Sequence, residues 1–270
     1  MKTTKWDERI YRANELARTH PSASEVLRFY ERIAGFQKAL YSDIESACGH
    51  AKEARAPGTL REELDLFVLL PKFPRFLALV ESMAPVPLVE SAAELIAKGT
   101  EHWQGLLQSS WRDPDQQPLP SFIEAALSRL FLQPYAEYLA DHTQQTAPTQ
   151  LQSVCPLCGG KPQASVLRQE GDGGKRSLIC SLCSNEWDFR RMLCPACGEE
   201  NAEKLAIYTA DQFHHVRIEA CDSCHRYIKT IDLTKNGNAV PVVDELAAIP
   251  LSLWAEENGY SKLQPNLLGI

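Results

Sequence analysis

Eight cysteines in the second half of the chain carry the clearest chemistry in the sequence. They form four C-x-x-C pairs, in which two thiolates can face one metal ion. Two such pairs complete a tetrahedral shell of four sulfurs, which suits either Zn²⁺ or iron. The sequence therefore predicts two tetrathiolate sites of the zinc-ribbon or rubredoxin type. The predicted ligands are Cys155, Cys158, Cys180, Cys183, Cys194, Cys197, Cys221 and Cys224.

The order of the cysteine pairs indicates which of them share an ion. Two successive segments each contain one pair, a hairpin-like stretch and a second pair, and the first pair of each is followed by a glycine, Gly159 or Gly198. Glycine suits this turn because it reaches positive φ without a Cβ clash. The hairpins favour sequential grouping, with one ion held between residues 155 and 183 and the other between 194 and 224. A cross-braced arrangement, which interleaves the pairs, is the alternative.

The elements that position these cysteines differ between the two halves of the chain. Strand-like runs at 164–170, 176–180, 205–209 and 214–220 lie between the pairs. Residues 1–147 instead show apolar residues at helical spacing, and Ser22, Thr59 and Ser121 each precede a glutamate by three residues, as in a capping box. We expect five to seven helices there. The tail at 244–258 is again helical, and Pro250 indicates a split or kink in it.

These patterns predict an α+β chain with three parts. A helical N-terminal domain covers residues 1–147 and ends in a polar linker at 143–150. The first rubredoxin-like or zinc-ribbon module covers 151–192, and the second module, with a C-terminal helical tail, covers 193–270. We expect the helical domain to fold without metal, whereas a module of about 40 residues needs its ion as a staple. Cys48, the remaining cysteine, is expected to be a buried thiol on a helix.

Composition and charge limit the classes of function. The chain has 270 residues and a net charge of -7, and its cysteine-rich half has no dense basic run, which argues against nucleic-acid binding. No apolar run approaches the ~20 residues of a membrane span, and residues 1–20 lack the apolar stretch of a signal peptide. We therefore expect a cytoplasmic protein without membrane contact. Clustered cysteines in that compartment are metal ligands more readily than disulfides.

The sequence contains no set of residues that requires an enzyme. It has no phosphate-binding glycine loop, nucleophile elbow or paired carboxylates, so we expect neither catalytic residues nor an organic cofactor. Arginine and aromatic residues beside the cysteine pairs are candidates for binding a partner, because such residues are enriched at interaction hot spots. Packing of the modules is their alternative role. The candidates are Arg190, Arg217, Arg226 and Tyr227.

The whole layout resembles the FdhE family, the formate dehydrogenase accessory proteins of bacteria. The resemblance rests on the four cysteine pairs, on residues 176–190 and 217–232 around two of them, and on the tail with Asp244, Leu253 and Trp254. It implies a cytoplasmic, non-catalytic factor that contacts the catalytic subunit of a respiratory formate dehydrogenase and is needed for assembly of that enzyme. It also implies two rubredoxin-like sites in which the eight cysteines hold iron, with zinc as a substitute.

Two other classes of function stay open at this point. A zinc-ribbon protein that binds nucleic acid would show affinity for DNA or RNA. A rubredoxin-like redox carrier would be coloured and would undergo reversible reduction. The oligomeric state is open as well.

Overall fold

The computed structural model describes residues 3–49, 56, 58–112, 122–144, 152–171 and 173–266. Helices occupy the first half of these residues. A mixed sheet with two four-cysteine groups follows, and two further helices lie near the end. The predicted α+β fold class is confirmed.

Six α-helices precede the sheet in the described part of the chain. The first begins at a capping box that the sequence analysis missed: the Thr4 hydroxyl accepts from the Asp7 N–H at 3.2 Å, and the Asp7 carboxylate accepts from the Thr4 N–H at 3.1 Å. None of the helices described combines the length and apolarity that a bilayer crossing requires. The six are α1 (Lys5–Thr19), α2 (Ser24–Cys48), α3 (Leu66–Leu69), α4 (Phe73–Met83), α5 (Val86–Trp111) and α6 (Phe122–Asp141).

Two of the three predicted capping boxes, those at Ser22 and Thr59, are not found. Ser22 lies in a 3-10 turn, Pro21–Ala23, that runs directly into α2, and the Ser24 N–H donates to the Pro21 carbonyl instead of to a side chain. Thr59 opens only a four-residue 3-10 turn. Ser121 lies outside the described residues. Cys48 is exposed, not buried as predicted, because it is the last residue of α2 and stands beyond the part of the helix that meets the core.

Among the described residues, six strands of the two cysteine-containing repeats and one short strand near the end of the chain form one sheet. In each repeat three strands run antiparallel in chain order, and the repeats meet where β1 pairs with β6 in parallel. The parallel register runs from Ala164 opposite Lys229 to Leu167 opposite Asp232. The strands are β1 (Pro162–Glu170), β2 (Gly173–Cys180), β3 (Glu186–Asp188), β4 (Leu205–Thr209), β5 (Val216–Cys221), β6 (Arg226–Asp232) and β7 (Ser261–Lys262), and β7 pairs with β6.

Two short helices close the chain against the sheet and the first helices. They are α7 (Pro241–Ala247) and α8 (Ile249–Glu257), and they separate at Ala248, so the predicted split is confirmed with Pro250 in the first turn of α8. Arg12 of α1 donates to both carboxylate oxygens of Asp244 at 3.0 and 2.6 Å. His215 bonds the same carboxylate at 2.7 Å. These buried polar contacts fix α7 to the N-terminal helix.

A second buried charge group lies beneath α7. The ammonium of Lys229 on β6 has no exposed surface and lies 2.7 Å from Glu245 Oε1. Lys262 of β7 contacts the same carboxylate. Because an unpaired buried charge is costly, this pairing holds α7 over β6 and β7.

The main core joins the helices to the first two cysteine pairs. Aromatic residues of α4 and α6, such as Phe73 and Phe131, belong to the same buried cluster as Leu157, Cys158 and Trp187 of the first repeat. The predicted linker falls largely on residues 145–150, outside the described residues. The division at 147, 151–192 and 193–270, and independent folding of the helical domain, stay predictions.

Candidate metal centres

The eight cysteine sulfurs gather into two groups of four that follow the chain order. In each group all four sulfur atoms lie within 4.8 Å of one another, and no cysteine forms a disulfide. We name residues 155, 158, 180 and 183 the first cluster and residues 194, 197, 221 and 224 the second cluster. The sulfurs are 3.6 Å apart in Cys155–Cys183, 3.3 Å in Cys158–Cys180, 3.8 Å in Cys194–Cys224 and 3.7 Å in Cys197–Cys221.

These distances fit a tetrahedral ion. Metal–sulfur bonds of about 2.3 Å place the four sulfurs of a tetrahedron about 3.8 Å apart, close to the separations in both clusters. The grouping is sequential, as the hairpins predicted, and the interleaved alternative is not found. Two four-cysteine clusters of this shape suggest metal binding.

The backbone turn after each cysteine pair is the same in all four copies. The residue that follows the second cysteine has positive φ: 71° at Gly159, 52° at Ser184, 78° at Gly198 and 54° at His225. Backbone N–H groups within the pairs and just after them point at the sulfurs. Gly160 donates to Cys158 Sγ, Leu182 to Cys180 Sγ and Ala196 to Cys194 Sγ, each at 3.4 Å.

The first cluster is enclosed by the core. All four of its cysteines are buried. The Asn185 amide lies 3.7 Å from Cys155 Sγ, and Arg61 of the helical part donates to the Cys158 carbonyl at 2.9 Å. Solvent therefore has little access to an ion held here.

The thiols of the first cluster differ in acidity. Hydrogen bonds from the neighbouring thiols, that of Cys155 foremost, hold the pKa of Cys158 far below its ordinary value, and the Arg61 charge acts in the same direction. Burial raises the pKa of Cys180 well above its ordinary value. Four thiolates together need a cation between them, because ligand sulfurs bind in the deprotonated form.

The second cluster lies at the surface. Cys194 and Cys221 are buried, whereas Cys197 is exposed and Cys224 half-buried. A mainly apolar groove lies against Cys194 and Cys221, and the exposed side chains of Met192 and Ile207 line it. An ion in this cluster is open to solvent and to a docking protein on one side.

Comparison with known proteins assigns the chain to a family. Residues 154–191 match the family model "FdhE, central domain", and residues 192–268 match "FdhE, C-terminal domain". The chain belongs to the FdhE family. The Protein FdhE homolog of Aquifex aeolicus (strain VF5) is 29% identical over 293 aligned residues, which cover 100% of this chain and 98% of that protein.

Two further comparisons differ in how much of the chain they cover. The Protein FdhE homolog of Haemophilus influenzae (strain PittGG) is 37% identical over 142 residues, which cover 52% of this chain and 46% of that protein. The crystal structure of the FdhE protein from Pseudomonas aeruginosa has a TM-score of 0.74 at 24% identity, and the match covers 99% of this chain and 97% of that one. This last likeness shows that the fold is shared.

The predicted partner-binding residues of this FdhE-family chain have unequal access to a partner. Arg190 is half-exposed and pairs with Glu200 at 2.8 Å. Arg217 pairs with Glu219 at 2.6 Å. Arg226 is exposed and donates to the Lys262 carbonyl. Tyr227 is only 1% exposed, which favours its alternative role in packing the sheet.

Two residues that support the first cluster were missed by the sequence analysis. Arg61 stands far from the cysteines in the chain, and no local pattern marks it. Ser184 follows a cysteine pair directly, and its hydroxyl donates to the buried Glu137 at 2.8 Å, which in turn accepts from Arg9 at 2.8 Å. The serine in a turn that glycine fills in two of the other three copies was the available signal for this link to the helices.

Proposed function

We propose that the chain is a cytoplasmic maturation factor, not an enzyme, that binds the catalytic subunit of a respiratory formate dehydrogenase and is needed for its assembly. The observation that carries this proposal is the pair of preformed four-cysteine clusters in the segment that the two FdhE domains match. The family resemblance is the reason for proposing the formate dehydrogenase subunit as the client. The exposure of the second cluster is the reason for proposing a contact surface there.

We propose iron as the metal of both clusters, held by the eight cysteines, with zinc as a substitute. Four thiolates suit either ion. Iron in such a site would hold the four cysteines of a cluster together and would supply a one-electron redox couple. The sulfur-directed N–H groups of the cysteine turns stabilise the negative charge of the thiolates in either case.

The groove beside the second cluster is the proposed docking face for the client. Its exposed apolar side chains, Met192 and Ile207, lie beside Arg191 and Arg226, and a groove of this kind suits a client segment that carries apolar and acidic residues. The exposed Arg190 lies at the junction of the two repeats, next to Arg191.

Affinity capture of the catalytic subunit tests this proposal. Arg226→Ala and Arg190→Ala should weaken capture while metal content stays unchanged, because neither side chain touches a sulfur in the described structure. Arg28→Ala is the matched control, since Arg28 is an exposed arginine on α2. Cys180→Ser with Cys183→Ser should remove one ion and abolish support of formate dehydrogenase activity in cells. Full capture and activity in that double variant would contradict the proposal.

A redox carrier is the second candidate function, and the exposure of Cys197 favours it. Electron exchange requires close approach of a partner, and the second cluster permits such an approach whereas the first does not. Anaerobically purified protein that is coloured and reduces reversibly, with the response lost in Cys197→Ser only, would support this function. Colourless zinc protein that still restores the client would exclude it.

A further inference from the structure

A cavity of about 190 Å³ lies between the helical part and the first cluster. Three cationic residues from separate segments line it: Arg61 before α3, Arg129 on α6 and Lys161 after the first cysteine pair. No aspartate or glutamate lines it among the residues that the structure describes. Positive charge is therefore concentrated here in a chain whose net charge is -7.

The guanidinium of Arg129 has no partner within the described part of the chain. Arg129 forms neither a hydrogen bond nor an ion pair there, although its neighbours in α6 are buried. Burial lowers the pKa of Arg129, and the charge of Arg61 lowers it further. A half-buried arginine that faces a like charge without a counter-ion is unfavourable, and an anion between the two would relieve it.

Arg61 and Ser110 fix the polar character of the cavity wall. Arg61 is held by three backbone carbonyls, those of Trp111 at 3.2 Å, Arg112 at 2.9 Å and Cys158 at 2.9 Å, so its position is set by the fold. The Ser110 hydroxyl is buried and has no hydrogen-bond partner in the described structure. An unpaired buried hydroxyl costs about 1–3 kcal/mol, and a ligand in the cavity can accept its hydrogen bond.

We propose that this cavity binds an oxoanion, a carboxylate or phosphate group, with Arg129 as its ion-pair donor and Ser110 and Arg61 as supporting donors. The planar fork of arginine matches both groups and can donate two hydrogen bonds to either. The anion is either a free small molecule or an acidic group that a bound protein inserts. Only this choice of source rests on the proposed function.

Calorimetric titration with inorganic phosphate, and separately with acetate, tests the site in the full metal-loaded chain. We expect a dissociation constant on the order of 1 mM for at least one of them. Arg129→Gln should weaken it tenfold or more, because it removes the unpartnered charge without breaking a contact of the fold. Arg28→Gln makes the same change of charge at an exposed position and should leave binding unaltered. Metal content of both variants should match the parent. In anion-free buffer Arg129→Gln should unfold at the parent's temperature or above it, because it removes an unfavourable charge, and Arg28→Gln should unfold with the parent.

The outcomes answer two questions: whether the cavity binds an anion, and where the natural anion comes from. The proposal is overturned if neither anion binds. It is also overturned if Arg129→Gln leaves the dissociation constant unchanged. If the bound anion also displaces the formate dehydrogenase subunit from the parent chain, the natural ligand is an acidic group of that protein. If it binds without displacement, the ligand is a free anion, and the site stands even where the proposed client does not bind at all.

Discussion

Replacing one cysteine ligand in each cluster should show that the two metal sites contribute differently to stability. The first site should support the whole fold, and the second should support only its own turn. Cys158 and Cys197 occupy equivalent places, each the second cysteine of the first pair in its cluster. Cys158 is 2% exposed and belongs to the main core, whereas Cys197 is exposed. Serine at either position removes a thiolate and should lower the metal content by one ion per chain.

The two substitutions differ in what they do to the helices. In Cys158→Ser the new hydroxyl is buried among sulfurs and apolar groups, which costs about 1–3 kcal/mol when it is unpaired. Loss of the ion removes a further share of the roughly 10–16 kcal/mol that a structural site can supply. Since whole domains are stable by about 5–15 kcal/mol, the helices packed on this cluster should lose a large part of their stability with it. In Cys197→Ser the hydroxyl meets water, and we expect helical stability to change by less than about 0.5 kcal/mol.

Urea unfolding followed by helical circular dichroism, with metal analysis of the same samples, measures this difference. The parent chain and Cys48→Ser, which changes an exposed cysteine outside both clusters, are the controls. An equal loss of helical stability in the two ligand variants would refute the reasoning, because burial in the shared core would then have no bearing on stability.

Three further substitutions have expected outcomes. His225→Gly should raise the unfolding free energy by about 0.5–1 kcal/mol, because His225 has a φ of 54° and an exposed side chain; His225→Ala, which keeps the strain, should show no gain in the same urea titration. Arg12→Met should cost about 3–5 kcal/mol by leaving the buried Asp244 without its guanidinium, whereas the exposed Arg18→Met should be nearly neutral. Burial lowers the pKa of Lys229 to about 8 from 10.5, so the unfolded chain binds more protons in that interval and stability should rise with pH there. Lys229→Met should lack this rise, and an identical pH profile in both proteins would show that Lys229 does not titrate as inferred.

The cysteine grouping could be predicted from the sequence because it follows from local structure. Each hairpin brings the pair before it next to the pair after it, so the spacing of Cys155, Cys158, Cys180 and Cys183 already contained the geometry of the first cluster. The parallel pairing of β1 with β6 could not be predicted. It joins segments at opposite ends of the cysteine-rich half, and nothing in the alternation of Ala164–Leu167 marks a partner so distant in the chain.

The surroundings of the clusters were also beyond the sequence patterns. Arg61 reaches the Cys158 carbonyl only because a 3-10 turn of the helical part packs against the first cysteine pair. Tyr227 was a candidate for partner contact beside Arg226, yet residues 227–232 of β6 are all buried because both faces of that strand are covered. Contacts between separate elements decide both positions, and periodicity within one element does not report them.

The parallel pairing of β1 with β6 also has a consequence for the order of events during synthesis. The ribosome releases β1 and β2 well before β6, so one long edge of β1 waits without a partner while the second repeat is made. Open edges of this kind recruit other chains and promote aggregation. Early capture of an ion by the first cluster would tether β2 and the first cysteine pair during that interval. A shortage of metal in the growing cell should therefore lower the yield of intact chain by more than the loss of stability caused by removing metal from the finished protein would predict.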